Sequence, residues 1–250
     1  MILQRLATSI RKQDWFTVLI ETLIVVFGVF IGLQVNNWNE ARADGVAYDE
    51  ALIRFEAEIE RNAAELERVI ADLAISLPRA EAAIETLQAC NDADGAKALI
   101  DEAMRSARGT ASIRMRRASL DALTSDPILL SQQTSAERQR FSDLAFMFDL
   151  FEVEADWAEF HPLDIPIENV PVLGIGTPLP PRETEYAGRT YQWNKSYPLV
   201  LAAPLSEACE QGDLIKALFS WHRWQNNLTP LSVGVLEELK ATKTLLEERR

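Results

Sequence analysis

Cysteine and histidine are scarce in this chain of 250 residues, which contains two of each. Four such side chains are too few for a zinc cluster or for a small fold that is held together by several disulfides. His161 and His222 lie far apart in the sequence, and neither belongs to a spacing that is typical of metal ligands. We therefore expect no metal site.

Basic residues are also fewer than acidic residues. Lys and Arg together number 25 against 38 Asp and Glu, which gives a formal net charge of −13. A protein that binds nucleic acid through its phosphates needs a basic surface, so this balance excludes that class. With 48% hydrophobic and 25% charged residues, the composition favours a folded chain with a packed core over a disordered one.

The motifs of common active sites are missing as well. Gly174 and Gly176 lack the third glycine and the following helix of a nucleotide-binding loop. The sequence has no P-loop, no G-x-S-x-G and no paired-carboxylate signature. We therefore expect no catalytic residue and no cofactor, because an enzyme here would need a site that is assembled from scattered residues.

What the sequence does contain is one long apolar run near its start. Residues 16–35 read FTVLIETLIVVFGVFIGLQV, with a single charged side chain. A helix of this length is about 30 Å long, which matches the hydrocarbon core of a bilayer. Trp15 and Trp38 stand at its two ends, where indole rings prefer the headgroup level. This pattern predicts a transmembrane helix over residues 15–38, preceded by a short cytoplasmic or interfacial segment over residues 1–14.

A cleaved signal peptide is the alternative, because Ala41-Arg42-Ala43 is similar to a cleavage site. The apolar run is longer than the ~7–15 residues of a signal-peptide core, and this favours an anchor that is retained. Arg5, Arg11 and Lys12 precede the span, and fewer basic residues follow it closely. This distribution predicts a cytoplasmic N-terminus and a periplasmic domain over residues 39–250.

One face of the predicted span combines an acid with small residues. It consists of Glu21, Val25, Gly28, Gly32 and Val35, which recur at spacings of three and four. The two glycines form a small-xxx-small pattern that lets another helix approach closely, and a carboxyl group inside a bilayer is costly unless it faces protein or water. This predicts an interface with another transmembrane helix. Alternatively, Glu21 lies near the cytoplasmic surface and the glycines are incidental.

The helical pattern continues beyond Trp38, and we expect a mainly α fold. Apolar residues recur at helical spacing up to Pro78, which predicts that the helix ends there after an interruption at Gly45. They are Tyr48, Leu52, Phe55, Ile59, Leu66, Val69 and Leu73. A strip of this kind is usually one half of a helical hairpin or bundle, for which Leu236, Leu239 and Leu246 supply an antiparallel partner.

Further helices are predicted over residues 80–89, 92–107, 213–228 and 232–249, with the last two separated by Pro230. Asn91 or Asp92 is available to cap the second of these. Thr134 and Glu137 form a capping box that opens a helix running toward Phe160. Its expected apolar face consists of Phe141, Leu144, Phe148 and Phe151.

Residues 161–205 form a proline-rich excursion that contains eight of the eleven prolines. A long irregular segment inside a compact domain is usually functional or carries a small structure of its own. Residues 184–193 are predicted to form a short hairpin. The aromatic side chains either form a partner-binding loop or drape over the bundle, and they are Tyr186, Tyr191, Trp193 and Tyr197.

Cys90 and Cys209 are predicted to form a disulfide, because an even pair in a domain outside the cytoplasm favours one. The sequence does not fix their separation, so two free buried thiols remain the alternative. The one basic cluster consists of Arg105, Arg108, Arg114, Arg116 and Arg117. Such a cluster usually pairs with neighbouring carboxylates, and otherwise it docks an anionic ligand or a lipid headgroup.

Residues 21–40 carry a recognisable pattern, E-x-x-IVV-x-GV-x-IG-x-Q-x-NNWNE. It resembles the anchor signature of an uncharacterised family of bacterial single-span envelope proteins. Residues 120–130 and the helix that Thr134 opens are similar to a second stretch of that family, although Ser125-Asp126 replaces its usual Ser/Thr-Gly turn. The resemblance implies a location in the bacterial envelope and supplies no catalytic residues.

These observations favour a single-pass protein of the bacterial inner membrane that acts as a non-enzymatic accessory or scaffold subunit. Its expected partners are the lipid bilayer and other membrane proteins, or further copies of itself, contacted through the span and the outer domain. The alternative is a periplasmic ligand-sensing module that signals through a partner.

Overall fold

The computed structural model of the protein describes residues 15–107, 113–160, 167–186 and 189–249. Within these ranges the chain is mainly α. The helices are α1 Trp15–Ala89, α2 Ala96–Ser106, α3 Ala118–Ser125, α4 Pro127–Gln132, α5 Ser135–Phe160, α6 Leu205–Cys209 and α7 Gly212–Glu248. The strands are β1 Leu173–Ile175, β2 Arg182–Tyr186, β3 Arg189–Trp193 and β4 Leu199–Leu201. The segment over residues 1–14 and His161 lie outside the described residues.

The first helix, α1, is continuous over 75 residues, which corresponds to about 112 Å. From residue 19 to residue 43 its side chains are exposed, and the first buried side chain along it is Tyr48. Beyond that point the apolar residues at helical spacing are buried, as the sequence predicted. The apolar first third of α1 is thus followed by a segment that belongs to the packed domain.

The longest helical pair consists of α1 and α7, which run antiparallel. Ion pairs between the two helices fix the direction, because their residue numbers rise along one helix as they fall along the other. Lys243 meets Glu60 at 2.8 Å, and Lys240 meets Glu67 at 2.8 Å. Leu236, Leu239 and Leu246 are buried in the domain. The predicted antiparallel partner of α1 is therefore confirmed.

The helix α5 completes the bundle and opens with the predicted capping box. The Thr134 hydroxyl accepts from the Glu137 N–H at 3.2 Å, and the Glu137 carboxylate accepts from the Thr134 N–H at 2.7 Å. Its expected apolar face is buried throughout. Arg140 on α5 donates to the Glu238 carbonyl and the Thr242 hydroxyl of α7, both at 2.9 Å, so α5 packs against α7.

Three predicted helix boundaries are wrong. Helix α1 passes through Gly45 and Pro78 and ends at Ala89, and α7 likewise passes through Pro230. Helix α2 begins at Ala96, with Gly95 at its N-cap in the left-handed region (φ 95°), and not at Asn91 or Asp92. An interior proline removes one backbone hydrogen bond of the helix. Buried residues on both sides of Pro78 and of Pro230 nevertheless hold α1 and α7 continuous.

The proline-rich excursion contains two small antiparallel sheets among its described residues. In one of them β1 pairs with β4, so that Leu173 lies opposite Leu201. A Cβ atom on Gly174 would lie 2.9 Å from the Cβ of Ala202, so this close approach requires glycine. The other sheet is the hairpin of β2 and β3, which pairs Arg182 with Trp193, as predicted. The residues at its tip, 187 and 188, lie outside the described ranges.

The described cysteines are bridged. Cys90 and Cys209 form a disulfide with a Cα–Cα distance of 5.6 Å across a sequence separation of 119. Cys90 follows the last residue of α1 in the left-handed region (φ 45°), and its N–H donates to the Thr86 carbonyl at 3.1 Å. Because Cys209 ends α6 immediately before α7, the bridge closes the α1–α7 pair at the end that is distal to the apolar segment.

Candidate functional site

The apolar segment of α1 lies free of the rest of the described chain. It is one helix that is long and apolar enough to cross a membrane by length and composition. Large apolar side chains are exposed on every side of it, from Leu19 to Trp38. In water such a surface would be unstable. An exposed apolar surface of this size is typical of a helix that meets lipid or another protein.

The predicted interface on this helix is open along its length. Glu21, Val25 and Val35 are exposed, and in the described chain no atom beyond the helix's own nearby backbone lies within 4 Å of a Cβ that is built on Gly28 or Gly32. Neither glycine is therefore required by packing inside the chain. A small-xxx-small face that nothing in the described chain covers is available to a second helix.

The aromatic side chains of the hairpin region also face outward. Tyr191, Trp193 and Tyr197 are each exposed by roughly half of their surface. Tyr186 lies in β2, and its side chain lies outside what the structure describes. Of the two predicted arrangements, exposure favours a partner-binding hairpin over aromatics that drape across the bundle, because draped rings would be covered by the helices below.

A second apolar stripe, which was not predicted from the sequence, runs along the outer face of α5. It consists of Phe146, Leu150, Val153 and Trp157, all of them exposed, with Phe146 at 67%. Their spacing of four, three and four places them on one helix face. The Trp157 ring stacks on the Trp224 ring of α7 at 5.6 Å. The helical spacing of these four residues is visible in the sequence. It was overlooked because the stripe that begins at Phe141 was assigned as the one apolar face of α5.

The predicted arginine cluster divides when the chain folds. Arg105 pairs with Glu102 at 3.0 Å, Arg114 with Asp156 at 2.5 Å, and Arg117 with Asp149 at 2.5 Å. The hydrogen bonds that the Arg117 guanidinium donates to the carboxylates of Asp149 and Asp121 raise its pKa, so its charge is fixed. Arg116 is exposed and makes no ion pair within the described chain, and Arg108 lies outside the described residues.

Arg116 instead joins two arginines of α1. It lines a groove of about 480 Å³ together with Arg54, Arg61, Arg117 and the buried Glu58. These residues were not predicted to form one site, because Arg61 and Arg116 are far apart in the chain and come to line the same groove only through the packing of α3 on α1. Among the described residues, no group of three or more His, Cys, Asp or Glu is placed to hold a metal ion.

Comparisons of this chain with protein families, with curated proteins and with solved structures find no match. The fold and its surfaces define a mainly α protein with one candidate membrane-spanning helix and a disulfide-closed helical domain. The resemblance of residues 21–40 to a family of envelope proteins stays a prediction from those residues.

Proposed function

We propose that this chain is a single-pass protein of the bacterial inner membrane that acts as a non-enzymatic accessory or scaffold subunit of a larger membrane complex. The observation that carries the proposal is the open face of α1. Glu21, Gly28 and Gly32 lie on one side of the apolar segment of α1, whose side chains are exposed from residue 19 to residue 43. A partner helix on this face would shield the Glu21 carboxyl group from lipid.

The disulfide supports a periplasmic domain. Cys90 and Cys209 are bridged, and such bridges persist in oxidising compartments and are rare in the cytosol. With the domain in the periplasm, the N-terminus of a single-span chain lies in the cytoplasm. The basic residues that precede the span agree with this orientation.

Two surfaces of the domain are suited to the same partner complex. The α5 stripe and the hairpin aromatics Tyr191 and Trp193 are exposed apolar side chains within a strongly acidic chain. Aromatic residues are enriched where proteins meet. In this arrangement the span selects the complex within the membrane, and the domain adds a second contact above it.

The test is the composition of the assembly that is extracted from native membranes in mild detergent. We expect a fixed ratio of this chain to other membrane proteins. The double substitution Gly28→Leu/Gly32→Leu should release the chain from that assembly, because leucine side chains fill the face that the partner occupies. It should leave the domain folded, since neither glycine packs against the chain.

Val26→Leu is the matched control, because it adds bulk to the same apolar segment on the opposite face of the helix. The assembly should survive this change. Phe146→Ser/Val153→Ser tests the contact that the domain contributes, and we expect it to weaken the assembly without changing membrane insertion. Extraction as a monomer or a homo-oligomer would contradict the accessory function and favour the ligand-sensing module.

A further inference from the structure

The groove beside α3 has the character of an anion site. Three of the arginines that line it come from two parts of the chain. Arg54 and Arg61 lie on α1, and Arg116 lies on the segment that leads into α3. Its volume of about 480 Å³ lies within the range of pockets that hold small molecules. The groove therefore has room for a ligand with several oxygen-bearing groups.

Two buried polar side chains of α1 hold the groove in shape. The Asn62 amide donates to the Arg116 carbonyl at 2.7 Å and accepts from the Arg116 N–H at 2.9 Å. The Glu58 carboxylate accepts from the Ser119 N–H at 2.8 Å in the first turn of α3. Since Asn62 and Glu58 are both buried, these bonds fix the backbone that carries Arg116 against α1.

The charges of the groove are unbalanced. Arg61 and Arg116 are exposed and make no ion pair within the described chain. Arg54 reaches only Glu50, at 3.7 Å, and both of these side chains are more than 60% exposed. Among the described residues, Glu58 is the one acid that lines the groove. In a chain with 38 acidic residues, three adjacent arginines without a close carboxylate partner form a local cationic surface.

The spacing of these arginines selects the class of ligand. Arg54 and Arg61 are seven residues apart on one helix, so their backbones are separated by about 10 Å along its axis. Guanidinium groups bind phosphate and carboxylate oxygens in a bidentate manner. A ligand with two or more anionic groups can engage all three extended side chains at once, and it spans this distance better than a single small anion does.

We propose that the groove formed by Arg54, Arg61 and Arg116 binds a soluble multivalent oxyanion, that is, a molecule carrying at least two phosphate or carboxylate groups. The position of the groove favours a soluble ligand over a lipid headgroup. Arg54 lies 19 residues beyond Val35 on the continuous helix α1, which places it about 28 Å past the apolar segment. This inference concerns the domain alone and does not depend on the accessory-subunit function.

Calorimetric titration of the full chain in detergent micelles with sodium tripolyphosphate, at constant ionic strength, tests the proposal. We expect saturable binding that Arg61→Gln/Arg116→Gln weakens at least tenfold. Arg68→Gln is the control, because Arg68 is an exposed arginine one heptad further along α1 that Glu65 and Asp72 already engage. It should change the affinity less than twofold. Arg54→Gln/Arg61→Gln repeats the test without touching the segment before α3.

Orthophosphate provides the second arm of the titration. We expect it to bind at least tenfold more weakly than tripolyphosphate, because it can engage only part of the groove. Absence of saturable tripolyphosphate binding, or an equal loss in the Arg68→Gln control, would overturn the site. Equal affinity for the two anions would overturn the assignment to a multivalent ligand.

Discussion

Glu137 joins three helices at the end of the bundle that lies nearest the apolar segment. Besides closing the capping box of α5, its carboxylate meets the Arg249 guanidinium at 2.5 Å. Arg249 in turn lies over the Tyr48 ring of α1 at 4.5 Å. Burial raises the pKa of Glu137, but the hydrogen bonds from Thr134 and the charge of Arg249 outweigh it, so the pKa lies below its ordinary value.

Glu137 therefore makes the stability of the domain depend on pH. A carboxyl group whose pKa is lowered by folding contributes stability above its unfolded pKa of about 4.3, and loses it as the pH falls through the folded value. We expect Glu137→Gln to lower the free energy of unfolding by about 1–3 kcal/mol at pH 7. In urea titrations from pH 7 to pH 3, the difference between this variant and the unchanged chain should shrink.

Glu248→Gln is the control for that series, because Glu248 is an exposed acid close to the same end of the bundle. It should leave the free energy of unfolding nearly unchanged at every pH. A deficit in Glu137→Gln that stays constant down to pH 3 would contradict the role that we assign to its charge.

At the scale of the elements, two long helices contain a proline in their interior. Each proline removes the N–H that would bond to the carbonyl four residues earlier, which belongs to Ala74 in α1 and to Asn226 in α7. Pro78 and Pro230 are exposed, and so are these two residues. Water can therefore satisfy the freed carbonyls, while buried side chains on the opposite faces keep the helices continuous.

Replacing these prolines should stabilise the protein. We expect Pro78→Ala and Pro230→Ala each to raise the free energy of unfolding by about 1–3 kcal/mol, because alanine restores the missing bond and has the highest helix propensity. Chemical denaturation measures the change. Ala71→Pro, at another exposed position of α1, should lower the free energy by a similar amount or more. A loss of stability in Pro78→Ala would mean that the packing of α1 on α7 requires the proline.

Features of the helices that depend on residues close in sequence were predicted, whereas features that depend on distant residues were not. The capping box of α5 and the buried faces of α1 and α5 were predicted, because short-range spacing determines them. The helix ends at Pro78 and Pro230 were mispredicted, since the packing that overrides a proline comes from residues distant in the chain. The exposed stripe that begins at Phe146 was missed because one helix was assigned a single apolar face.

At the scale of the whole molecule, the bundle is fastened at both ends. Arg249 meets Asp49 at 3.5 Å near the apolar segment, and Cys90 is bridged to Cys209 at the far end. The pairing of these cysteines was predictable because the chain has no others. The arginine groove was not predictable, because Arg116 and Arg61 line the same groove only after α3 has packed on α1.

Loss of the disulfide should destabilise the domain without changing its fold. The bridge closes a loop of more than a hundred residues, and we expect its reduction to lower the free energy of unfolding by about 2–5 kcal/mol. Denaturation with and without reductant measures this. In Cys90→Ser/Cys209→Ser the reductant should have no effect. Two thiols that react with a label in denaturant without reductant would refute the bridge.

In the arrangement that we propose, with residues 15–38 as a membrane anchor, the continuity of α1 makes the protein a lever. From Trp38 to Ala89 the helix extends about 77 Å beyond the anchor, and the packing of α7 stiffens most of that length. A change of 10° in the tilt of the anchor, well within the range that spanning helices adopt, displaces the far end by roughly 13 Å for a rod of this length. In that arrangement, a small change in bilayer thickness or in a neighbouring helix would be amplified into a large movement of the domain's far end.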